Sequence, residues 1–324
     1  KYISLELDST LWLRYAQYIA DHGKLYAADM MRNLPFWASI DFGIYTAYFV
    51  AYLYKFLHLF IPSMTVEFAD IIYPTIATVI TTLFLFLLVR RLFDYRVALL
   101  SALLLVTSTG FLYRSMTSDH DILGMMFIMM TLYFFVVGWQ SKKVKNNIIF
   151  GAIAAFTTTL AFNTAGDIRI FIMAIVLFTI LHIFLNNVKK SDLYVYSVWY
   201  VISLSLIIYT MSYSAKSFLL DYTMGLPATV AFLGLIVHYI LDFNYFKNLK
   251  YYKILLEKAP KGIIVLIFVG VIGLILMLTS YGLNNFIGFF NRILDLLSVN
   301  VLGMTRWATT VAEGKRSFVS DWFS

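Results

Sequence analysis

The sequence predicts an all-α polytopic membrane protein. Hydrophobic residues make up 61% of the 324-residue chain, charged residues only 13%, and the mean hydropathy is +0.79. A water-soluble protein needs roughly twice that share of charged residues to cover its surface. The apolar residues are also gathered into runs of about 20, the length that an α-helix needs to cross the hydrocarbon of a bilayer. These observations exclude a soluble globular protein.

Eight such runs predict eight membrane spans. They cover approximately residues 70–89, 97–113, 122–139, 147–163, 168–186, 194–212, 218–241 and 262–282. A ninth apolar stretch, 42–62, is interrupted by Lys55 and His58 and is rich in Tyr and Phe. We expect it to form a helix that lies in the membrane interface, where aromatic side chains and an interrupting charge are favourable.

Basic residues between the spans predict the orientation of the bundle. If 42–62 does not cross, the loops on one side hold thirteen Lys and Arg residues, whereas those on the other side hold only Arg114, Arg169 and Lys216. Basic residues accumulate in short cytoplasmic loops, so the poorly charged side is expected to be extracytoplasmic. The net charge of +7 comes largely from these clusters, and no nucleic-acid partner is expected.

This topology predicts three regions. Residues 1–69 form a first outer loop with the interfacial helix, 70–282 form a transmembrane helical bundle with short loops, and 283–324 form a flexible outer loop. The expected location is the cell membrane, crossed several times, with the functional face outside. Membrane lipids are therefore expected partners.

Acidic residues from distant parts of the chain share this outer face. They are Asp8, Asp119 with Asp121, and Glu313. A charge at the edge of a bilayer is costly unless water, a partner or a metal relieves it. Hard oxygen ligands of this kind suit Mn²⁺ or Mg²⁺, and the absence of cysteine excludes thiolate sites, disulfides and a Cys nucleophile. The alternative is that each is a solvated loop carboxylate.

Several motifs around these acids resemble the catalytic subunit of oligosaccharyltransferase, in its archaeal type. The segment "ELDSTLWLRYAQYIADHG" is similar to the family's first outer loop, with Glu6, Asp8, Arg14 and Gly23 at the family spacing. "DMMRNLPFW" is similar to the stretch that follows, with Arg32 and Pro35 retained. "RSMTSDHD" resembles the Asp-x-Asp/Glu/His motif of the second outer loop, and "TTVAE" resembles the motif of the fifth.

The resemblance implies a GT-C-type glycosyltransferase fold and a defined reaction. An oligosaccharide would pass from a dolichyl-phosphate or pyrophosphate carrier to the asparagine amide of an Asn-x-Ser/Thr sequon, with inversion and with Mn²⁺ or Mg²⁺ as cofactor. The implied metal ligands match Asp8, Asp119, Asp121 and Glu313. Asp8 and Glu313 would also orient the acceptor amide, and His120 is expected to be an outward-facing spacer between ligands.

Two features depart from the family pattern. Arg114 precedes Asp119 by five residues, where the family usually has a longer spacing, so its match to the family arginine is weaker. The family also has a span before the region matched here, and further spans and a Trp-Trp-Asp-Tyr-Gly domain after it. The sequence is therefore either part of a longer protein or an unusual minimal form.

Three further residues are candidates for binding the donor or the acceptor. These are Arg14, Arg114 and Asp221, the last near the outer end of its span. Two other functions remain open. The first is another lipid-phosphosugar-dependent membrane glycosyltransferase, such as a protein O-mannosyltransferase, which would lack the Glu313 motif. The second is a multi-span transporter, although transporters place ion sites near the bilayer midplane and often in broken helices.

Overall fold

The computed structural model describes residues 7–31, 38–39, 44–165, 169–211, 214–219, 224–242, 259–276 and 278–279. These residues form helices and one antiparallel pair of very short strands. In chain order the elements are α1 Leu7–His22, β1 Ala28–Asp29, β2 Ala38–Ser39, α2 Ile44–His58, α3 Val66–Leu92, α4 Tyr95–Thr107, α5 Thr109–Met116, α6 His120–Trp139, α7 Val144–Thr164, α8 Arg169–Phe184, α9 Lys190–Met211, α10 Ala215–Leu219, α11 Gly225–Ile240 and α12 Lys261–Leu276.

The chain divides into two compact units, Lys1–Gly270 and Val271–Ser324. The first contains α1 to α11 and the start of α12. In the second, the described residues are the end of α12 and residues 278–279. The predicted region boundaries after residues 69 and 282 stay a prediction.

Among the described helices, four are long and apolar enough to cross a membrane: α3, α6, α7 and α9. The bent pair α4 and α5 makes a fifth if it is taken as one span. The other three predicted spans correspond to α8, α11 and α12, which are apolar but shorter. At 16 residues, α8 and α11 each extend about 24 Å, less than the ~30 Å of bilayer hydrocarbon. A polytopic helical membrane protein is confirmed, and four to five spans are supported by helix length.

Two predicted spans are not straight helices. The run 97–113 breaks at Ser108, where α4 and α5 meet at 62°. The Ser108 hydroxyl donates to the Leu105 carbonyl at 3.0 Å, a local bond that competes with helix continuation. The run 218–241 also starts late, because α10 ends at Leu219 and α11 begins only at Gly225.

Gly225 explains where α11 begins. A Cβ atom there would lie 1.8 Å from the Phe218 carbonyl oxygen, so only glycine allows this close approach of α10 to α11. Pro227 follows in the first turn of α11, where its missing N–H is not needed for helical hydrogen bonding.

The centre of the bundle is α7, which packs on α6 and on α9. Small residues line this contact: at Gly151 an added Cβ would lie 3.0 Å from the Val195 carbonyl oxygen. Thr158 Oγ1 accepts from Trp199 Nε1 at 2.9 Å, and Thr131 Oγ1 donates to Thr157 Oγ1 at 2.8 Å. Small residues and buried hydroxyl bonds are what hold transmembrane helices together, because lipid gives no hydrophobic force between them.

The segment before α3 forms a small layer on the bundle. Helix α1 packs on α2 and α3, and α2 also contacts α7. Gly23 ends α1 with a left-handed φ of 80° and donates its N–H to the Ile19 carbonyl at 2.8 Å, as expected for a glycine just past a helix. This layer places α1 beside the start of α6, because Trp12 contacts His120 edge-on at 5.9 Å between ring centroids.

Candidate active site

The acidic triplet Asp119, His120 and Asp121 lies at the N-terminus of α6. Asp119 is the N-cap, and its Oδ1 accepts from the His120 N–H at 2.7 Å. One ligand atom from each of the three residues falls within 4.8 Å of the others. The structure thus brings Asp119 and Asp121, two of the predicted metal ligands, together at the start of a helix, and their role as ligands stays a prediction.

Arg114 holds both carboxylates from the last turn of α5. Its Nη1 lies 2.7 Å from Asp119 Oδ2 and 3.3 Å from Asp121 Oδ2. Asp119 is 4% exposed, and burial alone would raise its pKa. Hydrogen bonds from His120 and the positive charges of His120 and Arg114 outweigh burial, so the pKa of Asp119 lies below its ordinary value. The carboxylate is therefore ionised at neutral pH.

The expectation that His120 is an outward-facing spacer is wrong. Its Nδ1 lies 2.5 Å from Asp119 Oδ1, and its Nε2 lies 3.4 Å from Asp121 Oδ1. The edge contact with Trp12 supports the ring from α1. The Asp119 side chain caps the helix, so its carboxylate turns back over the first turn and meets the imidazole of the next residue. His120 thus belongs to the cluster.

Two residues of α3 anchor the loop that carries the triplet. Asp70 Oδ1 accepts from the Ser118 hydroxyl at 2.5 Å, and the Tyr73 hydroxyl donates to the Asp119 backbone carbonyl at 2.9 Å. Asp70 is 1% and Tyr73 0% exposed. Sequence reasoning missed both. The available signal was Asp70 itself, a carboxylate at the start of a long apolar run, which is costly there without a partner.

Arg14 is paired within the first layer. It forms an ion pair with Asp29, whose Oδ2 also accepts from the Tyr15 hydroxyl at 2.8 Å. Burial alone would raise the pKa of Asp29, but hydrogen bonds from Tyr15 and Met31 and the Arg14 charge lower it. Burial and the bond to Asp29 raise the pKa of Tyr15 to about 12. These bonds tie α1 to β1, and the role of Arg14 in donor or acceptor binding stays a prediction.

A cavity of about 450 Å³ opens beside the triplet, at the break between α4 and α5. Arg114 and Asp121 form its polar wall. The remaining wall is mainly apolar and includes Phe111, Ile122 and Phe171. The cavity therefore joins a charged end at the triplet to an apolar surface between helices, a combination suited to an amphipathic ligand.

Residues 1–311 match the sequence profile "Oligosaccharyl transferase STT3, N-terminal". The chain belongs to the STT3 family. A comparison with curated proteins gave no match.

Solved structures of an oligosaccharyltransferase from Archaeoglobus fulgidus share the fold of this STT3 chain. With AglB in complex with an inhibitory peptide and a dolichol-phosphate, the TM-score is 0.68 at 20% identity, over 94% of this chain and 36% of that one. For the complex of that enzyme with Zn and sulfate, the TM-score is 0.64 at 20% identity, over 90% of this chain and 39% of that one. For the form tethered to an acceptor peptide containing the NVT sequon, the TM-score is 0.53 at 20% identity, over 93% of this chain and 35% of that one. This chain thus spans little more than a third of those proteins.

The other residues that the STT3 resemblance singled out are only partly described. The backbone of Asp8 lies in the first turn of α1, four residues before Trp12, and its side chain lies outside the described residues. Asp221 and Glu313 also lie outside them. Their roles stay predictions, and the matched profile ends at Val311, two residues before Glu313.

Proposed function

We propose that this protein transfers an oligosaccharide from a dolichyl-phosphate or pyrophosphate carrier to the asparagine amide of an Asn-x-Ser/Thr sequon. The observation that carries the proposal is the triplet at the start of α6, beside a cavity with one charged and one apolar end, in a chain of the STT3 family. The A. fulgidus structures with dolichol-phosphate and with an NVT peptide agree with both substrates.

The residues of the triplet fit a divalent cation. Two carboxylates and one imidazole offer atoms within 4.8 Å of one another, and Asp121 is 37% exposed at its side chain, which gives access from outside. Hard carboxylate oxygens with one imidazole suit Mn²⁺, and Mg²⁺ if His120 is not a ligand. We propose Asp119 and Asp121 as ligands, with Asp8 and Glu313 joining from α1 and the last outer loop.

A bound cation would stabilise negative charge on the departing phosphate. Arg114 lies in the wall of the cavity beside the triplet. Its positive charge would also act on the oxygen atoms of the departing phosphate. The apolar wall, including Phe111 and Phe171, would hold the first isoprenoid units of the carrier. In this proposal the carrier phosphate lies next to the carboxylates of α6.

The acceptor amide is a weak nucleophile because its nitrogen lone pair is delocalised into the carbonyl. We propose that Asp8 and Glu313 accept hydrogen bonds from the NH₂ group and orient it towards the anomeric carbon of the sugar. Position 8 lies one turn, about 6 Å, before Trp12 along α1, and Trp12 touches His120. Attack in line with the departing phosphate inverts the anomeric centre.

The reaction is proposed to occur on the extracytoplasmic face, with eight spans and with α2 in the interface. Helix α2 buries small residues, such as Ala47 and Ala51, and exposes Tyr52 and Phe56 by 58% each. Lys55 and His58 in its last turn are also exposed. A helix with an exposed aromatic face and a basic end is typical of the membrane interface.

Cysteine labelling tests this topology, because the chain itself contains no cysteine. Lys24→Cys and Met116→Cys should react with an impermeant maleimide added to intact cells. Lys143→Cys should react only after the membrane is opened. All three positions are exposed. Reaction at position 116 in intact cells without reaction at position 24 would show that α2 crosses the membrane.

Chelation tests the metal proposal. The full-length protein, purified with its lipid-linked donor, should glycosylate an Asn-Val-Thr peptide, lose this activity with EDTA and regain it with Mn²⁺. A Gln-Val-Thr peptide serves as the control acceptor. Full activity after thorough chelation would contradict the metal proposal, and transfer to the hydroxyl of a Ser or Thr peptide would favour the alternative glycosyltransferase.

A further inference from the structure

A second polar cavity lies at the opposite end of the bundle from the triplet. It has a volume of about 640 Å³ and lies where α6 ends and where α7 and α9 begin. The triplet lies at the N-terminal end of α6, which begins at His120, and this cavity lies at its C-terminal end, at Trp139. At 1.5 Å per residue these ends are about 28 Å apart, close to the thickness of the hydrocarbon layer. The cavity therefore has no part in the reaction proposed above.

The wall of this cavity is positively charged. It contains Lys142, Lys189 and Lys190, all exposed, together with His182. The wall also contains the carboxylate of Asp192, which is 1% exposed. Its Oδ2 accepts from the Lys189 N–H at 2.9 Å and its Oδ1 from the Ser191 hydroxyl at 3.2 Å. The three lysines against the one carboxylate leave an excess of two positive charges, so an anion is favoured.

Asn147 adds a polar group that lacks a partner. It lines the cavity and is 0% exposed. Its Nδ2 donates to the carbonyls of Gly138 and Ser141 at 3.1 and 3.2 Å, and these two acceptors fix which way the amide points. Among the described residues, no donor reaches its Oδ1. That oxygen is itself fully buried, so it lies behind the wall, out of reach of an occupant of the cavity.

The edge of the cavity is apolar and faces outwards. Leu92 and Val144 are each 49% exposed and Phe178 is 39% exposed. Exposed apolar side chains at the edge of a charged cavity favour an occupant with an apolar part. An occupant with an acyl chain buries them, whereas free phosphate leaves them uncovered. Basic pockets between transmembrane helices on the cytoplasmic side are known to hold anionic headgroups.

We propose that this cavity binds an anionic phospholipid of the inner leaflet, such as phosphatidylglycerol. The lysines pair with the phosphate, and the acyl chains cover the apolar edge. A zwitterionic lipid is disfavoured, because the lysines repel its ammonium group.

Lipid binding to the full-length protein in detergent tests the proposal without donor, acceptor or catalysis. Phosphatidylglycerol binding is measured by native mass spectrometry. The double variant Lys189→Gln/Lys190→Gln should weaken it about 30-fold, since each basic residue near a lipid surface contributes about a factor of five. Its matched control is Lys143→Gln/Lys145→Gln, which removes the same charge from exposed positions outside the wall and should change binding by less than about threefold.

Changes of lipid test the charge of the headgroup and the need for acyl chains. Phosphatidylcholine, which has no net charge, should bind more weakly than phosphatidylglycerol, and sn-glycerol 3-phosphate should not compete. Equal losses in the two double variants would overturn the site. Equal binding of phosphatidylcholine would overturn the selection for an anion, and competition by sn-glycerol 3-phosphate would indicate a soluble anion.

Discussion

Replacing Asp119 with Asn is expected to lower glycan transfer by about 10²–10³-fold, the typical cost of removing one well-placed electrostatic contact. Asn caps a helix about as well as Asp, so α6 should still begin at His120. What is lost is the negative charge that lies 2.7 Å from Arg114 Nη1 and 2.5 Å from His120 Nδ1. The assay is transfer to the Asn-Val-Thr peptide by the full-length protein.

Asp94→Asn is the matched control for this substitution. Asp94 caps α4 as Asp119 caps α6, since its Oδ1 accepts from the N–H groups of Arg96 and Val97 at 2.7 and 3.0 Å. Its transfer rate should stay within about twofold of the original, as for most surface changes. Stabilisation by Mn²⁺ in thermal unfolding gives a second measurement, lost only in Asp119→Asn. Similar rates for the two variants would remove Asp119 from the active site.

Hydropathy predicted where the apolar helices lie, because the cost of exposing polar backbone in lipid makes a continuous helix the only stable form for an apolar run. It did not predict the break at Ser108 or the late start of α11 at Gly225. Each depends on one contact. The break depends on the hydrogen bond from the Ser108 hydroxyl to the Leu105 carbonyl, and the late start depends on the close approach of the Phe218 carbonyl to Gly225. A window of about 20 residues averages over such contacts.

The candidate site was predictable only to the level of residue type. Spacing identified Asp119 and Asp121, but the rotation that brings the His120 ring onto both carboxylates depends on helix capping. The support from Asp70 and Tyr73 comes from 48 and 46 residues away along the chain. Pairings of this kind are set by the packing of α3 on α6, and a single sequence carries no record of them.

The sequence gives no clue that Asn147 differs from the neighbouring Asn146, because both precede the same apolar run. In the structure, Asn147 bonds to the end of α6 and is fully buried, while Asn146 is partly exposed. The same holds for Lys189 and Lys190, which in the sequence are one of several basic pairs. Only the convergence of α6, α7 and α9 distinguishes them as the wall of a cavity.

Glu313→Gln is expected to cut glycan transfer by about 10²–10³-fold while leaving expression and thermal stability unchanged. The substitution keeps the shape of the side chain and removes its charge. In the proposed reaction that carboxylate accepts a hydrogen bond from the acceptor NH₂ and completes the oxygen ligands of the cation. Gly314 follows it, and Thr309, Thr310 and Ala312 around it are small, from which we propose that this segment admits the peptide and closes over the reacting nitrogen.

Glu67→Gln is the matched control, since it makes the same chemical change at the start of α3, where Glu67 Oε1 accepts from Gln17 Nε2 at 2.8 Å. Its transfer rate should stay within about twofold of the original. The Glu313 variant should also lose discrimination between Asn-Val-Thr and Gln-Val-Thr peptides, because the contact that orients the amide is gone. Near-normal transfer by Glu313→Gln would make Glu313 an ordinary solvated loop residue. The proposed chemistry would then depend on the carboxylates of α1 and α6 alone, and transfer to a hydroxyl acceptor would become the reaction to test.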